Sequence, residues 1–73
     1  MRSVWVFQDL TEGIVRLFAH EEDAKKFALN YFTETFQKYW DEDFGSFEPE
    51  VERFKENWRA DEGLMWLDEV EVE

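Results

Sequence analysis

The sequence predicts an α+β domain with the element order β-β-α-α-β, in which two helices pack on one face of a three-stranded antiparallel sheet. Three observations support this prediction. Two short runs of β-branched and aromatic residues open the chain, two segments with apolar residues at helical spacing follow, and an alternating apolar and acidic run closes it. Since there is no internal repeat and no Gly/Ser-rich linker, residues 1–73 are expected to form a single domain.

The first two runs predict a β-hairpin. Residues 3–8 and 14–19 are rich in Val, Trp, Phe and Ile, which suit a pleated surface. Residues 9–13 between them predict a turn, in which Gly13 can adopt a positive φ. Both strands are apolar on both faces, so either both faces are covered or one of them leaves an apolar patch exposed.

Residues 20–40 predict a long amphipathic helix. Acidic residues occupy its first turn, where the positive end of the helix dipole favours negative charge. Its apolar residues follow a single stripe with a period of 3.6 residues. This stripe consists of Ala24, Phe27, Ala28, Tyr31, Phe32, Phe36, Tyr39 and Trp40.

A second helix and a third strand are predicted in the remaining residues. A loop over residues 41–48 leads to Pro49, which suits the first turn of a helix, and Ser46 is a candidate cap. Residues 60–63 end this helix, and residues 64–72 predict the third strand. The second half of that strand alternates between apolar and acidic residues, as expected for a strand with one face in water. The helix has one apolar stripe, formed by Phe47, Val51, Phe54 and Trp58.

Acidic residues are concentrated in the second half of the chain. The full sequence has 19 acidic and eight basic residues, which gives a formal net charge of −11. Residues 1–40 carry six acids and five bases, whereas residues 41–73 carry thirteen acids and three bases. Because charge of one sign repels itself and opposes compaction, this asymmetry indicates a charged binding surface in the second half. The alternative is that the acids serve solubility alone.

The acids recur at regular intervals on the predicted elements. Glu48, Glu52 and Glu56 lie about 6 Å apart along one helical stripe. Glu69, Glu71 and Glu73 share one face of the third strand at intervals of about 6.7 Å. The second-half bases can offset part of the repulsion through the pairs Glu50–Arg53, Glu52–Lys55 and Glu56–Arg59. The residues predicted to bind a basic partner are Asp41, Glu42, Asp43, Glu48, Glu52, Glu56, Asp61, Glu62, Glu69 and Glu71.

The surplus of aromatic residues predicts a second kind of surface. One layer of helices covers only one face of a three-stranded sheet, so the other face is expected to expose apolar side chains for a protein partner or a homodimer. The alternative is that the second helix or the termini cover this face. The residues predicted for the apolar interface are Trp5, Phe7, Ile14 and Met65.

Sites for catalysis or metal binding receive little support. Residues 41–52 place oxygen ligands at the first, third and twelfth positions of an interhelical loop, but Ser46 stands where a calcium loop needs glycine. His20 has no nearby nucleophile and is expected to be a surface or capping residue. We therefore expect no enzymatic activity, no catalytic residue, no metal and no cofactor.

Composition excludes several further classes of function. The absence of cysteine excludes disulfides and thiol catalysis, and a single histidine excludes a multi-histidine metal site. No run of 18 apolar residues occurs, and the first apolar run, over residues 4–7, is too short for the apolar segment of a signal peptide, so neither a membrane span nor a signal peptide is expected. A chain with a charge of −11 is repelled by phosphate, so neither direct nucleic-acid binding nor a membrane-surface role is expected.

The opening of the chain resembles a pattern in short bacteriophage open reading frames, in which a hairpin runs directly into an amphipathic helix. The residues that match are VWVFQDLTEGIVRLFAHEEDAKKFA. Its size and acidity resemble phage-encoded inhibitors of host nucleic-acid enzymes, including anti-restriction and anti-CRISPR proteins that mimic nucleic acid. The resemblance implies an inhibitor that acts in the host cytoplasm, evades host defence and blocks a nucleic-acid-binding protein with a DNA-like negative surface. The alternative is a structural or adaptor module that dimerises or binds a partner through an apolar sheet face.

Overall fold

A four-stranded antiparallel sheet lies against two α-helices in the computed structural model, which describes residues 2–72. The spatial order of the strands is β2-β1-β4-β3. The α+β class is therefore confirmed, whereas the sheet has four strands instead of the predicted three. The elements in chain order are β1 (Arg2–Asp9), β2 (Ile14–Phe18), α1 (Glu21–Phe36), α2 (Glu48–Asn57), β3 (Arg59–Ala60) and β4 (Met65–Val72).

Local sequence signals explain where most of these elements begin and end. Gly13 has a φ of 68° in the turn between β1 and β2, a conformation that glycine adopts without steric cost. Helix α1 ends at Phe36, and a single 3₁₀ turn over Gln37–Tyr39 replaces the last predicted α-helical residues. At the start of α2, the Ser46 hydroxyl accepts a hydrogen bond of 3.2 Å from the amide of Glu48. Ser46 therefore satisfies one of the free amides of the first helical turn.

The short strand β3 is the element that the sequence did not predict. Trp58 follows α2 in the left-handed conformation, with a φ of 56°, and its amide donates to the carbonyl of Phe54 at 2.6 Å. This turn reverses the chain, so that Arg59 and Ala60 pair with Trp66 and Met65 of β4. Left-handed helix ends usually carry glycine, and a tryptophan at this position gives no such signal.

The core lies between the helices and the sheet, and aromatic rings fill most of it. The rings of Phe32 in α1 and Phe54 in α2 are stacked with their centroids 4.5 Å apart and hold the two helices together. Phe7 of β1 contacts Phe27 and Tyr31 edge-on at 5.4 and 5.0 Å. Full burial of each such side chain contributes about 1.5–3 kcal/mol. The buried apolar residues are Phe7, Ala24, Ala28, Phe32, Phe47, Phe54, Met65 and Leu67.

The strand register divides the sheet into a face covered by helices and a face without them. Residues directly opposite each other on antiparallel strands share a face, and Phe7 pairs with Leu67 and with Arg16. Because Phe7 and Leu67 belong to the core, the intervening positions of each strand lie on the opposite side. We call that side the helix-free face; its apolar residues are Val4, Val6, Val15, Leu17, Trp66, Val70 and Val72.

The predicted composition of the exposed face is therefore wrong. Phe7 and Met65 are buried, with 0% and 1% of their surface accessible, and Trp5 packs against the same core. Ile14 is half-buried and opposite Asp9, on the covered side of the sheet. Both sides of β1 and β2 are apolar, so the sequence pattern alone could not decide which set of alternating residues faces the helices.

Candidate functional site

All ten acids predicted to bind a partner are exposed, and they lie on four segments of the chain. Three of them form the loop between the helices, where the Asp41 carboxylate accepts a hydrogen bond of 2.9 Å from the amide of Asp43. A second group, Glu48, Glu52 and Glu56, lies on α2. The third group, Asp61 and Glu62, lies in the left-handed turn after β3, where the Asp61 carboxylate accepts a hydrogen bond of 3.0 Å from the Thr11 hydroxyl. Glu69 and Glu71 belong to β4, whereas Glu73, predicted to continue their row, lies outside the described residues.

Three ion pairs neutralise only a small part of this charge. The predicted pairs Glu50–Arg53 and Glu52–Lys55 are present, at 3.1 and 3.5 Å. The predicted pair of Glu56 with Arg59 is replaced, because Arg59 contacts Asp68 across the sheet at 3.1 Å. Nine of the ten predicted acids thus form no ion pair among residues 2–72: Asp41, Glu42, Asp43, Glu48, Glu56, Asp61, Glu62, Glu69 and Glu71.

The structure spreads these carboxylates along the molecule instead of gathering them into one cluster. The principal extents are 48 × 22 × 17 Å. Residues 41–43 follow the carboxyl end of α1. Glu69 lies near the opposite end of that helix, because it pairs with Trp5, and Trp5 in turn pairs with Phe18 at the end of β2, just before α1 begins. Glu48 and Glu56 are separated by about 12 Å of helix axis between these two ends. The acids on the helical side of the sheet are those of α2 and β4: Glu48, Glu52, Glu56, Glu69 and Glu71.

The helix-free face, by contrast, carries few charged side chains on its strands. Within its strands Asp68 is the acidic residue, and Arg59 holds this carboxylate through two contacts of 3.2 and 3.1 Å. Four apolar side chains there are exposed, with Leu17 the most accessible at 65%. The protein therefore presents an acidic surface and an apolar surface on different sides of one sheet.

A groove of about 360 Å³ opens between the end of α1, α2 and β3. Its walls are aromatic, and Trp40 is fixed there by a hydrogen bond of 2.8 Å from its indole nitrogen to the carbonyl of Gly45. The rim carries Glu50, Arg53, Arg59 and Asp61, of which the first three belong to the ion pairs described above. Aromatic walls with a polar rim suit the burial of a partner's side chain.

The part of the chain from residue 2 to residue 72 does not assemble a metal centre. No group of three or more histidine or carboxylate side chains comes together there that could hold an ion, and this includes the interhelical loop. His20 is exposed at the amino-terminal end of α1, and its side chain makes no capping hydrogen bond. Neither of the two helices is long and apolar enough to cross a membrane in the region that the structure describes.

No protein-family model matches the chain, and no curated protein or solved structure is significantly similar to it. The function of the protein is therefore inferred from its two surfaces.

Proposed function

We propose that the protein is a non-enzymatic inhibitor that occupies the basic nucleic-acid-binding surface of another protein with its acidic helical side. The observation that supports this proposal is the excess of exposed carboxylates without ion pairs, which lie outside the helix-free face. DNA presents one phosphate per about 3.4 Å on each strand. Several rows of carboxylates on neighbouring elements approach that charge density better than any single row.

Such a protein would act by competition for a surface. Long-range attraction between the acidic side and a basic channel accelerates encounter, and a few buried aromatic side chains then slow dissociation. Phe44 is suited to the second role, because it is 72% exposed within the acidic loop and its ring lies 5.7 Å from that of Trp40. Phe47, by contrast, is buried in the core and cannot be such a contact.

The test is competition with DNA. The immobilised protein is incubated with the DNA-binding fraction of a bacterial lysate, and bound proteins are eluted with duplex DNA at constant salt. We expect duplex DNA to release the captured protein, and capture to weaken steeply between low and moderate salt, because both ligands use the same basic surface. Captured protein that duplex DNA does not release would reject the proposal.

Two variants with the same net charge test whether capture depends on the charges of α2 or only on the total charge of the protein. The variant Glu48→Gln/Glu52→Gln/Glu56→Gln removes three charges from α2. The control Glu12→Gln/Glu22→Gln/Glu34→Gln removes three charges at exposed positions of the first half. We expect the α2 variant to lose DNA-competed capture and the control to keep it. Equal losses in both would show that only the net charge matters.

A second candidate function is homodimerisation through the helix-free face. It is favoured by the exposed apolar side chains of that face and by the single, internally paired carboxylate in its strands. Two copies with a charge of −11 each could meet there with their unpaired acids directed away from the contact. The oligomeric state in solution distinguishes this candidate from the first.

A further inference from the structure

The outer edge of β4 is unpaired over most of its length. β3 has only two residues and pairs with Met65 and Trp66, at the start of the eight-residue β4. The last hydrogen bond on this edge joins the Leu67 amide to the Trp58 carbonyl at 3.0 Å. Beyond Leu67, no strand covers this edge among residues 2–72.

The direction of the Leu67 amide identifies the backbone N–H and C=O groups of β4 that face this unpaired edge. Alternate residues of a strand direct their N–H and C=O groups toward the same neighbour. Since the Leu67 amide points to the β3 side, the amides and carbonyls of Glu69 and Glu71 point there as well. These residues therefore offer two donors and two acceptors to an added strand, continuing the ladder that β3 begins.

The side chains along this edge alternate in chemistry. Glu69 and Glu71 lie on the covered side of the sheet beyond Leu67, the last core residue of β4. Both are exposed, and neither forms an ion pair within residues 2–72. Val70 and Val72 lie on the helix-free face and are also exposed. Unlike charges placed directly opposite on adjacent strands stabilise the pairing, whereas like charges oppose it.

We infer that the outer edge of β4 binds an extended segment of a basic partner protein, in which lysine or arginine alternates with apolar residues. The basic side chains would lie opposite Glu69 and Glu71, and the apolar side chains would extend the row of Val70 and Val72. A second copy is a poor occupant of this edge, because it would bring four glutamates together. The inference deepens the proposed function, on which it rests, by naming the segment that the partner supplies.

The probe is a short peptide of alternating lysine and valine, with blocked termini, added to the 73-residue protein. Its control has the same composition in two blocks, three lysines followed by three valines. We expect the alternating peptide to slow hydrogen exchange at the Glu69 and Glu71 amides, because they become bonded. Equal binding of the block peptide, or binding without protection of these two amides, would overturn the inference.

Charge-matched variants test the role of the side chains. Glu69→Gln/Glu71→Gln is expected to bind the alternating peptide about tenfold more weakly, which corresponds to the loss of two cross-strand charge pairs. The control Glu12→Gln/Glu34→Gln, at exposed positions outside β4, has the same net charge and is expected to bind the alternating peptide as the unsubstituted protein does. Equal weakening by the two variants would reduce the interaction to nonspecific attraction and refute the site.

The hydrogen-exchange and DNA-competition experiments together distinguish failure of this inference from failure of the proposed function. If the peptide leaves the Glu69 and Glu71 amides unprotected while capture remains sensitive to DNA, the strand-addition site is refuted and the inhibitor proposal stands. If the peptide protects both amides but captured proteins are not released by duplex DNA, the edge site is supported and the inhibitor proposal is refuted.

Discussion

One buried carboxylate connects the hairpin to α1. Asp9 is 2% exposed, and its two oxygens accept hydrogen bonds from the Tyr31 hydroxyl at 2.6 Å and from the Thr11 amide at 3.1 Å. A buried carboxylate that loses a donor is left partly unsatisfied. The hydrogen bond between Tyr31 and Asp9 therefore fixes the end of β1 against α1. Its contribution to the free energy of unfolding can be measured by substituting Tyr31, which leaves the net charge of the protein unchanged at neutral pH.

Tyr31→Phe is expected to lower the free energy of unfolding by about 1–3 kcal/mol at neutral pH, because Asp9 loses its side-chain donor. Tyr39→Phe is the control, since Tyr39 is 79% exposed and its substitution should change stability little. Urea unfolding of the three proteins measures both effects. A Tyr31→Phe variant as stable as the Tyr39→Phe variant would show that the hydrogen bond contributes nothing.

The same contact predicts a dependence of stability on pH. Burial, followed by the hydrogen bond and the charge of Asp9, raises the pKa of Tyr31 from 10.0 to about 12. The neutral phenol is thus favoured in the folded state, so its contribution is complete below pH 10 and is lost as the pH rises through 12. The stability difference between the unsubstituted protein and Tyr31→Phe should therefore shrink over this interval in urea unfolding at successive pH values.

At the scale of elements, the sequence predicted both helices from their hydrophobic period, the two hairpin strands from their β-branched and aromatic residues, and β4 from the alternation in its second half. It failed at β3, where Trp58 turns the chain in a left-handed conformation that glycine would have signalled. It also failed to assign the faces of β1, where both Val4 and Trp5 are apolar. The exposure of the ten acids predicted to bind a partner followed from their charge, whereas Asp9 is buried and the partner of Arg59 depended on the unpredicted β3–β4 pairing.

The turn after β3 stores strain that a single substitution can release. Asp61 and Glu62 both have a positive φ, of 54° and 57°, which costs a residue with a Cβ atom roughly 1–2 kcal/mol. We expect Glu62→Gly to be more stable than Glu62→Ala by about 1 kcal/mol, since both remove the same charge and only glycine relieves the strain. Thermal unfolding compares the two, and equal midpoints would contradict the prediction.

At the scale of the whole molecule, the two surfaces lead to different solution behaviour. The eight-residue pairing of β1 with β4 gives the helix-free face a footprint of about 26 × 15 Å, or roughly 400 Å². Standard interfaces bury about 800 Å² per partner. A dimer through this face alone would therefore be weak and dependent on concentration, and it would leave the acidic side free.

Sedimentation velocity over a range of concentrations tests this dimer with a matched pair of substitutions. Leu17 and Tyr39 are both exposed, at 65% and 79%, but Leu17 lies on the helix-free face whereas Tyr39 lies in the turn after α1, outside the sheet. We expect Leu17→Glu to abolish association and Tyr39→Glu to preserve it. A protein that remains monomeric up to millimolar concentration would exclude the second candidate function.

The two middle strands of the sheet come from opposite ends of the described chain, since Arg2 is opposite Val72. Pairing between such distant segments makes folding slow compared with that of local contacts. During synthesis, the hairpin of β1 and β2 emerges long before β4 and has apolar side chains on both sides. Until β4 has been synthesised, β1 lacks the longer of its two strand partners, and the sheet cannot be completed.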